Sequence, residues 1–121
     1  MPRPTHFELP ADDPERVVQF YTQVFGWQVE KWDGPAEYWL VSTGEGPGID
    51  GGIGRRAEGE AGVVNSISVT DLDATLAGVK AHGGQVTREK LPIPGVGWLA
   101  YCRDTEGNAF GLKQSDPSAG Q

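Results

Sequence analysis

Apolar residues recur at helical spacing between Pro14 and Phe25: Val17, Tyr21 and Val24 fall on one stripe, with Phe20 and Phe25 beside them. Asp13 stands where an N-cap belongs and Pro14 sits in the first turn, where a missing N–H costs nothing. Glu15 suits the positive end of the helix dipole, and Gly26 follows as a capping glycine. The same plan returns further on. Asp71 is the expected N-cap, Leu72, Leu76 and Val79 form the stripe, and His82 lies in the last turn before Gly83-Gly84. Ahead of each helix the pattern switches to period two, in His6-Phe7-Glu8-Leu9 and in Asn65-Ser66-Ile67-Ser68-Val69.

The segments after the helices also correspond. Gly26-Trp27-Gln28-Val29 parallels Gly83-Gly84-Gln85-Val86, Tyr38-Trp39-Leu40-Val41 parallels Gly97-Trp98-Leu99-Ala100, and Gly51-Gly52-Ile53 parallels Phe110-Gly111-Leu112. The offsets are 71−13 = 58, 83−26 = 57 and 98−39 = 59. Strand–helix–strand–strand–strand, twice, is the prediction: one α+β domain with repeat one over about 5–57, repeat two over about 63–114 and a small polar tail, 115–121, expected to fray. Neither half is large enough to bury its own face, so each is expected to pack on the other or on a partner chain, with the helices outside and the sheet curled around a cavity.

Alternation assigns Phe7, Leu9, Ile67 and Val69 to the helix-covered faces and His6, Glu8, Ser66 and Ser68 to the opposite ones. A polar sheet face curled inward is a ligand cavity; one that merely meets solvent has the same sequence pattern. The cavity is the expectation carried forward.

Composition narrows the function. The 121 residues carry a formal charge of −7, and an acidic surface repels phosphate backbones, so no nucleic-acid partner is expected. The apolar runs are far shorter than a membrane span, and the first residues lack the apolar core of a signal peptide, so a cytoplasmic protein with no membrane partner is expected. Cys102 is the only cysteine, which excludes an intrachain disulfide and a thiolate metal cluster.

The ordered set His6-Phe7-Glu8-Leu9-Pro10-Ala11-Asp12-Asp13, Phe20-Tyr21 to Phe25-Gly26-Trp27, Val69-Thr70-Asp71-Leu72-Asp73, His82-Gly83-Gly84 and Arg103-Asp104-Thr105-Glu106-Gly107-Asn108 resembles the vicinal oxygen chelate superfamily of glyoxalases, bleomycin-resistance proteins and extradiol dioxygenases, in its glyoxalase-like branch. The resemblance spans nearly the whole chain, and the Asp-x-x-Gly-Asn turn is its most specific piece. It implies a divalent ion held by one side chain on the first strand and one on the last strand of each repeat. Carried over by position, these are His6, Gly52, Val64 and Gly111, of which only His6 has a ligand atom. Protein metal sites normally supply three or more donors, so no metal and no cofactor is expected. Glycines at 52 and 111 would also widen the cavity floor for a bulky ligand.

Each candidate residue has a functional and a plain structural reading. His6 is a cavity imidazole able to act as a base near neutral pH, or a histidine at a strand start. Glu8 is a carboxylate whose pKa is raised by burial, or a solvated strand residue. Trp39 and Trp98 are ligand-stacking walls or core residues. Ser66 and Tyr101 offer hydroxyls to a ligand, with packing as the alternative for Tyr101. The Pro92–Gly97 stretch is a cavity-mouth loop or an ordinary hairpin connection. Cys102 reads as a small buried apolar residue, Gly44–Gly48 as a turn, and Arg55-Arg56 as a solvated strand end.

The expected function is a metal-independent small-molecule-binding protein, homodimeric as many relatives of this length are, taking a small organic ligand, aromatic ones included, through His6, Glu8, Trp39, Ser66, Trp98 and Tyr101. The alternative is an enzyme, a lyase or isomerase using His6 and Glu8 for proton transfer, with a metal-dependent glyoxalase or dioxygenase as its variant. A non-catalytic interaction module is the third reading.

Overall fold

The computed structural model describes residues 2–57 and 62–121. Its elements run β1 (Arg3–Ala11), α1 (Pro14–Phe25), β2 (Gln28–Lys31), β3 (Tyr38–Ser42), β4 (Asp50–Arg55), β5 (Val64–Ser68), α2 (Leu72–Ala81), β6 (Gln85–Ile93), β7 (Gly97–Arg103) and β8 (Ala109–Ser115). The chain forms two compact units: His6–Val64, and Asn65–Gln121 together with the residues that precede His6.

Within the first unit the strand order is β2-β3-β4-β1, with β1 parallel to β4 and the other pairs antiparallel. Within the second it is β5-β8-β7-β6, with β5 parallel to β8. The predicted βαβββ repeat is therefore present twice, and the register locks the correspondence. Glu8 pairs with Gly52 and Ser66 with Gly111, giving offsets of 66−8 = 58 and 111−52 = 59.

Both helices begin as the sequence predicts. An Asp13 carboxylate oxygen accepts from the Arg16 N–H at 3.2 Å, and an Asp71 oxygen accepts from the Ala74 N–H at 3.0 Å. Helix α1 ends on Gly26, left-handed at φ 73°, whose N–H donates to Thr22 O at 3.0 Å. Helix α1 covers a core of Ala11, Trp39, Val41 and Ile53, against which Phe7, Leu9, Val17, Val18 and Val29 pack. In the second unit Val69, Leu72, Leu76, Ala100, Cys102 and Leu112 form the core, with Ile67 and Val79 against it.

Two expectations need correcting. The stripe on α1 is not all core: Phe20, Val24 and Phe25 are more than half exposed. The inward contacts come from Val17 and Val18, while Tyr21 stacks on Trp27 with ring centroids 4.9 Å apart. The tail expected to fray is instead docked on the β6–β7 hairpin. The Gly95 N–H donates to Ala119 O at 3.0 Å, the Asp116 N–H donates to Val96 O at 2.9 Å, and the Trp98 indole N–H donates to Asp116 Oδ2 at 3.0 Å. Ala119 is fully buried. Long-range bonds of this kind leave no local signal in a small, polar segment.

Candidate functional site

In the first unit, alternation fixes which side chains leave the core. Phe7, Leu9, Val29, Trp39, Val41 and Ile53 are spent on the helix side. Their neighbours along each strand must therefore stand on the other face. Register brings those neighbours together: His6 opposite Asp50, Glu8 opposite Gly52, Gly52 opposite Leu40, Glu30 opposite Leu40 and Gln28 opposite Ser42. Tyr38 shares their face. His6, Glu30, Leu40, Ser42 and Asp50 line an open cleft of about 450 Å³.

His6 is positioned by Tyr38. Its Nε2 and the Tyr38 hydroxyl lie 3.0 Å apart in a half-buried hydrogen bond. The phenol reaches this place because residue 52 has no side chain. A Cβ on Gly52 would overlap the Tyr38 hydroxyl and ring, and its three nearest atoms would all belong to Tyr38. Trp32 meets Tyr38 edge-on, with centroids 6.2 Å apart, and the Trp32 N–H donates to Tyr38 O at 2.9 Å. Burial pushes the Tyr38 pKa above the ordinary phenol value, and the negative charge of Glu8 raises it further. Tyr38 is thus a neutral hydrogen-bonding group across the physiological range.

The carboxylates on this face differ in how they are committed. Asp50 Oδ1 accepts from the Thr43 N–H at 2.9 Å and so braces the β3–β4 connection. Glu8 and Glu30 add negative charge to the face. Arg55 is held elsewhere, in a two-pronged contact with Glu37 at 2.8 and 3.0 Å, which agrees with its reading as a strand-end residue.

The second unit carries the counterpart of this face. Ser66 takes the place of Glu8, and a Cβ on Gly111 would come 2.9 Å from Ser66 Oγ and 3.6 Å from the Tyr101 ring. Ser66 and Tyr101 therefore share the space above Gly111. Ser66 is 2% exposed, and its hydroxyl has no hydrogen-bond partner among the described residues.

The two tryptophans do not join these faces. Trp39 is buried in the core beneath α1, opposite Ile53. Trp98 packs against the α2 core, donates to Asp116 and lies under Lys90, whose Nζ is 4.8 Å from its ring centroid. Nor are they counterparts, because Ala100, opposite Leu112, matches Trp39 opposite Ile53. Both leave the set of ligand-contacting candidates, and Tyr38, one residue before Trp39, enters it.

Two further motifs resolve as structure. Asp104 Oδ1 accepts from the N–H groups of Glu106 and Asn108 at 2.8 and 2.9 Å, and Gly107 takes the left-handed conformation at φ 83°, so the Asp-x-x-Gly-Asn motif builds a turn. Cys102 is buried in the core, and burial raises its thiol pKa, as expected of an inert cysteine.

The donor set does not suit a divalent ion. Position 64 is valine, and 52 and 111 are glycines. The room at position 52 belongs to Tyr38, and the His6 Nε2 is already engaged with it. Among the described residues no three His, Cys, Asp or Glu side chains gather closely enough to hold an ion.

Two βαβββ units, each with a polar strand face opposite its helix, define a glyoxalase-type α+β fold. The chain belongs to the glyoxalase/bleomycin resistance protein/dioxygenase superfamily, whose family model matches residues 3–112. It is 32% identical to lactoylglutathione lyase GLX1 of Arabidopsis thaliana over 93% of this chain, and it spans only 44% of that relative's length. It is also 32% identical to a glyoxylase-like domain-containing protein of Didymella fabae, over 87% of this chain and 88% of the relative. The fold matches the methylmalonyl-CoA epimerase of Mycobacterium tuberculosis with a TM-score of 0.71, covering 94% of this chain and 88% of that one at 14% identity. Among the described residues no helix is long and apolar enough to cross a membrane.

Proposed function

We propose that this chain binds a small organic molecule by hydrogen bonding at the polar face of its first repeat, without a divalent ion. The observation that carries the reading is the donor set: of the positions implied by the superfamily, only His6 bears a ligand atom, while His6, Glu8 and Tyr38 supply hydrogen-bonding groups of a different kind. The charge of the face indicates the ligand class. With Glu8, Glu30 and Asp50 on it, the face favours a neutral or cationic molecule over an anionic one.

An isosteric series tests this directly. Benzamide, benzamidine and benzoate have one shape and three charges. Titrated into labelled protein and followed by NMR, the amide or the amidine is expected to move the His6 and Tyr38 resonances and benzoate to leave them still. Preferential binding of benzoate would contradict the reading. A cytoplasmic homodimer completes it. Self-association is supported by the exposed Phe20, Val24 and Phe25 on α1, and Phe25→Glu is expected to yield a monomer in sedimentation.

A second reading, a lyase or isomerase, is favoured by the names of the relatives and by the imidazole, phenol and carboxylate on one face. It requires isomerisation of a glutathione hemithioacetal that disappears in both His6→Ala and Glu8→Gln. The binding reading expects no such turnover from the wild type.

A further inference from the structure

We propose that Tyr38 has taken over the position of the missing ligand at residue 52, so that the first repeat presents a phenol–imidazole pair where a metal-bound imidazole would otherwise stand. The proposal rests on the metal-free reading of this same site and adds to it a specific replacement residue. Three observations converge on it. The phenol fills the volume that any side chain at residue 52 would enter. It is hydrogen-bonded to the nitrogen of His6, the one surviving ligand position. Trp32, meeting the ring edge-on and donating its backbone N–H to Tyr38 O, helps hold the phenol there and is thus a positioning residue.

The exchange has a chemical consequence. A cation on His6 would recognise paired ligand oxygens by charge. A phenol beside an imidazole instead offers one hydroxyl and one ring nitrogen, with donor and acceptor roles set by the tautomer of the ring. Such a pair selects a ligand carrying a carbonyl, hydroxyl or amide, and it can change its own hydrogen-bond direction to match.

The test is a comparison of wild type with Tyr38→Phe, which keeps the ring and removes the hydroxyl. Nitrogen-15 NMR of the imidazole in each protein reads the bond directly, and titration with cobalt(II), followed by its visible absorption, reads metal binding. The expected result is a displaced His6 Nε2 resonance in Tyr38→Phe, with no cobalt spectrum that depends on His6 in the wild type. Unchanged His6 nitrogen shifts in a folded Tyr38→Phe protein overturn the proposal and leave the metal-free reading intact. A wild-type cobalt spectrum that vanishes in His6→Ala overturns the reading on which the proposal rests. Should Tyr38→Phe fail to fold, the wild-type imidazole still decides, because a free ring nitrogen there contradicts the proposed bond.

Discussion

Gly52→Ala is the smallest change that interrogates the site. Gly52 lies in a strand, outside the left-handed region, so alanine is compatible with its backbone. The new Cβ would overlap the Tyr38 hydroxyl and ring, so the phenol must move and its bond to His6 must break. Loss of that hydrogen bond costs about 1 kcal/mol. Displacing a packed ring adds about 1–3 kcal/mol. Stiffening the unfolded chain by replacing glycine returns about 0.4–1 kcal/mol. The net expectation is a destabilisation of about 2 kcal/mol, the hydrogen-bond and overpacking terms outweighing the entropic one. The control is the same substitution in Tyr38→Ala, where the three atoms nearest the new Cβ are gone or withdrawn and the cost should fall close to zero. Urea unfolding of the four proteins, followed by tryptophan fluorescence, measures the coupling. Effects that add to within about 0.5 kcal/mol would refute the reasoning, because two residues sharing one volume must couple.

Other predictions separate the two faces and the tail. Trp39→Ala removes a buried core side chain and should cost about 3–5 kcal/mol. Leu40→Ala, on the exposed cleft face, should stay within about 0.5 kcal/mol; thermal melts of the two variants compare them, and equal losses would contradict the face assignment. Ser66→Ala removes a buried hydroxyl with no hydrogen-bond partner among the described residues and should be neutral or stabilising by up to about 1 kcal/mol; a loss of that size in chemical denaturation would reveal a partner. Asp116 is held below the usual carboxylate range by the Ser118 hydroxyl, then by the Trp98 indole and the Ser118 N–H. Its folded pKa therefore lies below its unfolded one. Its contribution is complete above the ordinary carboxylate range and is lost as the pH falls through that range and below it. Protection of the Gly95 amide from hydrogen exchange, which Ala119 provides, should fall in that window and should fall at neutral pH in Asp116→Ala.

The repeat was readable because its markers are local. Asp13 and Asp71 cap helices from their own sequence neighbourhoods, and His6 to Leu9 alternates without interruption. The position of Tyr38 was not, because Tyr38-Trp39-Leu40-Val41 is an unbroken apolar run in which period two is invisible. Only pairing with β4 shows Trp39 and Val41 facing the helix and Tyr38 and Leu40 facing away. The likeness of the two tryptophan segments misled for the same reason. That likeness runs along the chain, whereas the correspondence of Trp39 with Ala100 is set across it by pairing. A glycine at residue 52 was legible as a missing ligand. That the vacancy would be filled by an aromatic residue from the next strand was not, since it depends on the side chain of one strand crossing over another.

The proposed function has this member of the superfamily working through hydrogen bonds and not through a divalent ion. Equilibrium dialysis of the purified chain against zinc, nickel and manganese, with metal counted by mass spectrometry for wild type and His6→Ala, tests it most directly. The two proteins are expected to retain the same trace of each metal. One ion per wild-type chain, lost on replacing His6, would contradict it.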